Sequence, residues 1–104
     1  MTTTALSARD VYQLLKDIAL GVRSMRRAGE LSWREIGSGS MPILVDGWRL
    51  TLFNDGGELD HCAGCVAADG RMSSIDSWGR YGTDPIQLLS RWEREELERL
   101  LSKL

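Results

Sequence analysis

Long apolar runs are missing from this 104-residue sequence, and so is the basic segment followed by an apolar run that marks a secretory signal. No stretch approaches the ~18 consecutive apolar residues that a membrane span requires. The opening MTTTALSARD has no signal-peptide pattern either. These absences argue against an integral membrane protein, and we expect a cytoplasmic protein with no membrane partner.

An excess of positive charge is also missing. The formal net charge is −2, whereas binding to DNA or RNA depends on clustered Lys and Arg. The one basic cluster, Arg23, Arg26 and Arg27, falls where a first helix should end, and cations there complement the negative pole of the helix dipole. We interpret the cluster as structural and expect no direct nucleic-acid partner.

Cysteine and histidine are scarce, with two cysteines and a single histidine. Thiols in a cytoplasmic protein stay reduced, so we expect no structural disulfide. The sequence has no Gly-x-Ser-x-Gly elbow, and four of its aspartates, Asp46, Asp55, Asp69 and Asp84, adjoin Gly or Pro, where Asp serves turn and cap hydrogen bonds. We therefore predict no catalytic residues and no enzyme activity.

The segment from Asp60 to Cys65 nevertheless concentrates possible zinc ligands, namely His61, Cys62 and Cys65. If residues 48–53 pair with residues 58–63 so that Leu50 lies opposite His61, the histidine points to the core and Cys62 points away. Neither a second CxxC nor a His pair is present to complete a zinc site. We predict no metal and no cofactor, and keep these three residues as the weaker candidates.

Length and composition indicate one α+β domain spanning residues 1–104. Hydrophobic residues make up 42% of the chain and charged residues 27%, which is typical of a globular protein. A chain this short buries only about two-thirds of its unfolded surface, so covering more apolar surface with a second copy would stabilise it. We therefore expect a homodimer.

The N-terminal part predicts a frayed lead over residues 1–6 and then an amphipathic helix. Ser7 and Asp10 have the spacing of a capping box, so the helix should begin at Ala8, and Gly29 is a natural stop. Apolar residues recur at helical spacing on one face. They are Val11, Leu14, Leu15, Ile18, Val22 and Met25.

The middle of the chain predicts an antiparallel β-meander of four or five strands. The turn pairs Asp46-Gly47 and Asp69-Gly70 are strong hairpin signals, and residues 54–57 form another turn. Residues 37–40 are expected to be a flexible connector. The predicted strands cover residues 33–36, 43–45, 48–53, 58–67 and 71–78.

The C-terminal part predicts two helical pieces. A single helix from Pro85 would place Glu93 in its apolar stripe, whereas Ser90 and Glu93 have capping-box spacing. We expect a short helical turn over residues 85–89 and a helix from Arg91 to about Lys103.

The sequence contains four tryptophans, and they cannot all lie at the centre of one small core. Trp48 shares a strand face with Leu50 and is expected to be core. Trp92, Leu88, Trp78 and Tyr81 are instead predicted to lie at a protein-binding surface, because aromatic residues are enriched at interface hot spots. Packing against the sheet edge remains the alternative for Trp92 and Leu88.

A resemblance covers most of the chain. Residues 46–55, the Leu59-Asp60-His61-Cys62 segment, Asp69-Gly70-Arg71 and the C-terminal residues 84–101 resemble small pseudomonad proteins related to the QslA-type quorum-sensing anti-activators. The resemblance implies a cytosolic dimer that binds a LuxR-type transcription factor, disrupts that factor's dimer and keeps it off DNA. It implies no site residues.

The sequence therefore predicts a protein-interaction module that inhibits a regulatory protein. Two alternatives stay open at this point. One is a small zinc- or thiol-dependent protein that uses the His61-Cys62-Cys65 segment, and the other is an immunity or anti-phage protein.

Overall fold

Two helices pack on one face of a five-stranded antiparallel sheet in the computed structural model, which describes residues 6–74, 78 and 83–104. The predicted α+β class is confirmed. The elements are α1 (Ala8–Ala19), β1 (Arg26–Arg27), α2 (Trp33–Ile36), β2 (Ser38–Val45), β3 (Trp48–Asp55), β4 (Glu58–Val66), β5 (Met72–Ser74), a 3₁₀ turn (Pro85–Leu88) and α3 (Arg91–Leu101).

The strands follow one another in the sheet in chain order, as a meander requires. Tight turns set this order. Asp46 and Gly47 have φ of 46° and 85°, and Gly56 and Gly57 have φ of 63° and 102°. Two consecutive positive φ values are typical of the type I′ turn, whose twist matches that of the strands it joins.

Helix α1 begins as predicted and ends earlier. The hydroxyl of Ser7 accepts from the backbone N–H of Asp10, whose carboxylate accepts from the N–H of Ser7. The helix stops at Ala19, and Gly21 then turns the chain with a φ of 80°. The predicted continuation toward Gly29 is therefore wrong, and Val22 is exposed instead of facing the core.

Only one member of the arginine cluster lies at the end of α1. The backbone N–H of Arg23 donates to the carbonyl of Asp17 at 3.2 Å, and its side chain makes ion pairs of 3.2 and 3.1 Å with Asp17 and Asp46. Arg26 and Arg27 instead form β1 and pair with Leu44 and Ile43, so for these two the predicted position at the helix end is wrong.

Residues 33–36 form a helical turn, not the predicted strand. Ser32 and Glu35 make a capping box around its start, and that local hydrogen bonding outweighs the short apolar pattern. The segment predicted as a flexible loop is also different, because residues 38–40 already belong to β2 and pair with residues 53–55 of β3.

The break in the C-terminal helical segment is confirmed. The carboxylate of Asp84 caps the 3₁₀ turn by accepting from the N–H of Ile86, and Ser90 and Glu93 form the predicted capping box of α3. Glu93 is buried because its carboxylate accepts from the N–H of Ser90. Its presence beside the apolar stripe is therefore a consequence of capping.

The core lies between the helices and the inner face of the sheet. Leu6 belongs to it, although residues 1–6 were predicted to fray; its carbonyl accepts from the buried hydroxyl of Ser73. Residues 1–5 are outside the described part of the chain. The largest fully buried apolar side chains are Leu15, Ile18, Met41, Ile43, Leu50, Leu52, Leu59, Leu97 and Leu101. Within the described residues, no helix is long and apolar enough to cross a membrane.

Candidate functional site

Trp92 lies at the outer side of the first turn of α3 and is 56% exposed. The core residue Leu97 follows five positions later, roughly 140° around a helix of 3.6 residues per turn. The indole therefore points away from the core that Leu97 helps to form. An indole packed against the sheet edge would be less exposed than Trp92 is, so the exposed fraction argues against that alternative.

Leu88 ends the 3₁₀ turn and is 41% exposed, whereas the preceding Pro85 and Ile86 are buried. Leu88 is four positions before Trp92, so the two Cα atoms are at most about 14 Å apart. We call Leu88 and Trp92 the helix patch. It consists of two exposed apolar groups on the helical layer of the molecule.

Charged pairs flank the helix patch. Arg91 donates from Nε to Glu95 at 3.0 Å, and Arg99 makes a bidentate ion pair with Glu96. Glu95 and Glu96 lie one turn beyond Trp92 and therefore beside it on the helix surface. An apolar centre with a polar rim is the usual anatomy of a protein-binding surface.

Trp78 does not belong to this surface. It is 4% exposed, and its indole Nε1–H donates to the carbonyl of Cys62 at 3.1 Å. The prediction that Trp78 is available to a partner is therefore wrong, because the bond to Cys62 anchors the ring in the core. Tyr81, the fourth predicted residue, lies outside the described residues.

Two β-bulges decide which side chains of β4 face the core. Asp60 and Ala63 have no counterpart in the register with β3, so Leu52 lies opposite Cys62 and Phe53 lies opposite His61. Each extra residue reverses the alternation of side chains. The predicted register, with Leu50 opposite His61, is wrong.

His61 consequently faces outward and the two thiols face inward. The imidazole stacks on Phe53 with ring centroids 4.8 Å apart, and its Nδ1 lies 2.7 Å from a carboxylate oxygen of Asp60. Cys62 and Cys65 are both free and buried. Because the sheet separates the imidazole from the thiols, the three residues do not converge on one position.

No group of three or more His, Cys, Asp or Glu side chains that could hold a metal occurs within residues 6–74, 78 and 83–104. The His61, Cys62 and Cys65 set fails on geometry, because its members lie on opposite faces of β4. The structure gives this set no shared coordination site.

Burial keeps both thiols protonated. It raises the pKa of Cys65 from 9.0 to about 12 and raises the pKa of Cys62 further above its ordinary value. The thiolate is the nucleophile and metal ligand. These cysteines are therefore packing residues, and Cys62 also donates from Sγ to the carbonyl of Gly64.

Alkaline conditions should destabilise the protein through these thiols. The folded pKa values exceed the unfolded value of 9.0, so their contribution is fully present below pH 9 and is lost as the pH rises toward the folded values. We expect the free energy of unfolding to fall by up to about 1.4 kcal/mol per pH unit for each thiol. Urea unfolding at a series of alkaline pH values measures this slope.

Cys65→Ala is the matched variant for that measurement. It should remove the contribution of one thiol to the slope of unfolding free energy against pH, whatever its effect on stability at neutral pH. Ellman's reagent should label the native thiols slowly and the urea-unfolded thiols at once. Rapid labelling of the folded protein, or an unchanged slope in Cys65→Ala, would contradict the assignment.

The free edge of β4 is closed by side chains. The backbone N–H of Leu59 donates to the carboxylate of Glu98 at 2.7 Å, and the N–H of Cys62 donates to the Asp84 carboxylate at 3.2 and 3.3 Å. Burial raises the pKa of Asp84, while the hydrogen bonds from the N–H groups of Ile86 and Cys62 oppose the rise. Two of the N–H groups that could bond another strand are thus already paired.

The outer face of the sheet is a second surface, which we did not predict. In the described part of the chain both long helices pack on the inner face, so side chains of the outer face are only half-buried or exposed. The alternation of apolar and polar side chains along residues 48–53 was the sequence feature that could have indicated this outer face. This open face includes Pro42, Leu44, Arg49, Thr51, Phe53, His61, Val66 and Met72.

A hollow of about 340 Å³ lies in the open face where Gly64 contributes no side chain. Thr51 and Ser74 are the cross-strand neighbours of Gly64, and Arg49, Val66 and Met72 form the next row. Beside this hollow stand the stacked rings of Phe53 and His61. The open face thus has a raised part and a recessed part next to each other.

One family model covers the part of the chain that contains both surfaces. A family model described as a domain of unknown function (DUF7693) matches residues 5–103, which includes every element of the fold. No curated protein and no solved structure matches the chain.

Proposed function

We propose that this chain, which belongs to the family described as a domain of unknown function (DUF7693), is a non-enzymatic cytosolic module that binds and inhibits a regulatory protein. One observation carries the proposal. Trp92 is more than half exposed on a helix whose other large apolar residues are either completely buried, as Leu97 and Leu101 are, or partly buried against the core, as Leu100 is. Large exposed aromatic groups are the usual anchors of protein interfaces.

The chemistry around Trp92 fits a protein partner. Leu88 adds aliphatic surface, and the ion pairs of Arg91 with Glu95 and of Arg99 with Glu96 supply a charged rim. A net charge of −2 gives no attraction to nucleic acid. The helix patch would therefore fill an apolar pocket of a folded protein.

The partner we propose is a LuxR-type transcription regulator. The support is the resemblance of residues 46–55, the 59–62 segment and residues 84–101 to the QslA-type anti-activators. In this proposal the helix patch occupies a surface that the regulator needs for its own dimer. The regulator then loses its DNA affinity, because a dimer binds two half-sites at once.

The test measures binding and inhibition with the same variants. The purified chain is titrated against a LuxR-type regulator bearing its acyl-homoserine lactone, and promoter activity is read in cells that express both proteins. We expect Trp92→Ala to weaken binding by roughly thirtyfold or more, as truncation of an interface hot spot does. Leu88→Ala should weaken binding less, and both variants should restore promoter activity.

Leu31→Ala is the matched control. Leu31 is 53% exposed, close to the value for Trp92, and it lies in the segment between β1 and α2. It should bind like the wild type. Equal loss of binding in Leu31→Ala and Trp92→Ala would remove the helix patch from the proposal, and full inhibition by Trp92→Ala would refute it.

A further inference from the structure

We infer that the open face of the sheet binds the open face of a second copy of this chain. The inference is independent of the proposed function, because it concerns the face opposite the helices. Three properties of the open face carry it: the placement of its charges, the match between its raised and recessed parts, and its area.

Charge divides the open face into a basic end and an acidic end. Arg26 and Arg49 lie in one cross-strand row with Leu44, Val66 and Met72. Asp55 and Glu58 lie opposite each other at the other end of the sheet. Arg49 and Asp55 are six positions apart along β3, a distance of about 20 Å. The outward side chains between them on β3, Thr51 and Phe53, are uncharged, and on β4 the carboxylate of Asp60 lies 2.7 Å from Nδ1 of His61.

This arrangement selects one way of stacking two copies. A two-fold axis that runs across the strands, between the two sheets, reverses the strand direction in the second copy. It places Arg49 of each copy against Asp55 of the other, whereas an axis parallel to the strands would place arginine against arginine. An isologous contact of this kind uses the same patch twice and closes as a dimer.

The same axis matches the shapes. The midpoint between Arg49 and Asp55 on β3 lies at residue 52, so Thr51 of one copy meets Phe53 of the other. On β4, the row of Gly64 then meets the row of His61. The stacked rings of Phe53 and His61 would enter the hollow beside Gly64 in the opposite copy, and this contact occurs twice in the dimer.

The area of the open face indicates how tightly two copies would bind. The five strands contain 30 residues in all, and at about 4.8 Å between strands and about 3.3 Å per residue they cover about 500 Å² per copy. The total of about 1,000 Å² is near the lower limit of specific interfaces. We therefore expect a dissociation constant of micromolar order, so the dimer forms and dissociates with concentration.

Sedimentation velocity across the micromolar range tests the contact. Arg49→Glu should weaken the dimer by roughly tenfold or more, because two attractive pairs become repulsive. Asp55→Arg should do the same. The double variant with both substitutions exchanges the charges and should dimerise again, which no unrelated effect of the single substitutions would produce.

Gly64→Val tests the shape independently of charge. A Cβ at Gly64 would meet only the carbonyl of Ser73, at 3.7 Å, so the fold accommodates a side chain there. Valine would fill the hollow and should shift the chain to monomer. Arg9→Glu is the matched charge control, since Arg9 is exposed in the first turn of α1, where a negative charge is favourable.

A wild-type chain that stays monomeric throughout this range would overturn the inference. So would a dimer that Arg49→Glu and Gly64→Val leave unchanged, since the two copies would then meet elsewhere. Thermal unfolding of each variant shows whether a loss of dimer reflects the contact or a loss of fold. If Arg49→Glu does not fold, the result for Gly64→Val decides whether the inference holds.

Discussion

Asn54→Ala should lower the free energy of unfolding by about 1.5–4.5 kcal/mol, because the buried carbonyl of Trp33 loses its donor, which costs about 1–3 kcal/mol, and the exposed N–H of Gly57 loses a bond worth about 0.5–1.5 kcal/mol. Asn54 is completely buried. Its amide donates to the carbonyl of Trp33 at 2.7 Å, and its Oδ1 accepts from the N–H of Gly57 at 2.6 Å. The indole of Trp33 in turn donates to the carbonyl of Gly57 at 3.1 Å.

The effect is large relative to the whole fold, since domains of this size are stable by only about 5–15 kcal/mol. Urea unfolding measures it as a lower midpoint with an unchanged slope. Thr51→Ala is the control on the same strand, because Thr51 is on the open face and should cost little. A loss in Asn54→Ala below about 1 kcal/mol would mean that other donors and acceptors replace the amide.

Asp84→Ala should lower the free energy of unfolding by about 2–4 kcal/mol, since the N–H groups of Ile86 and Cys62 lose their acceptor. One carboxylate here caps the 3₁₀ turn and also closes the edge of β4. Its removal should therefore loosen the contact between the C-terminal helical segment and the sheet. Hydrogen exchange at Cys62 and Ile86 would report this loosening directly.

Asp84→Asn separates the acceptor from the charge. Oδ1 accepts from both N–H groups, at 2.9 Å from Ile86 and 3.2 Å from Cys62, and an amide oxygen keeps both bonds. Burial raises the pKa of Asp84 above 3.8, so protonation of this carboxyl favours the folded state. This stabilisation is fully present below pH 3.8 and is lost as the pH rises through the folded pKa.

Asp84→Asn should therefore unfold near the wild-type midpoint at neutral pH and lack this pH dependence. An amide variant as unstable as Asp84→Ala would show that the negative charge itself is required. Equal stability of all three proteins at neutral pH would contradict the capping role.

Local hydrogen bonding explains which parts of the fold could be predicted. The starts of α1 and α3 follow from Ser7 with Asp10 and from Ser90 with Glu93, because a capping box involves only four consecutive residues. Ser32 and Glu35 carry the same signal for α2. The capping box is a more specific pattern than the short apolar segment after it, so the helical turn over residues 33–36 also follows from local sequence.

The candidate site depends on contacts between distant segments, and these could not be predicted. The bulges at Asp60 and Ala63 change the facing of every later residue in β4, and no composition rule places them. Trp78 is buried because its indole bonds the carbonyl of Cys62, sixteen residues earlier. Trp92 differs from Trp78, because its outward position follows from helical spacing alone. Its role in binding stays a prediction.

The closed edge of β4 has a consequence for behaviour at high concentration. An unpaired strand edge acts as a template on which further chains can add, and the growth of cross-β fibrils begins in this way. Glu98 and Asp84 occupy the N–H groups that an incoming strand would need, and β1 and β5, at the two sides of the sheet, have only two and three residues. Among the described residues, the edge of β4 at Leu59 and Cys62 therefore offers no template for fibril growth.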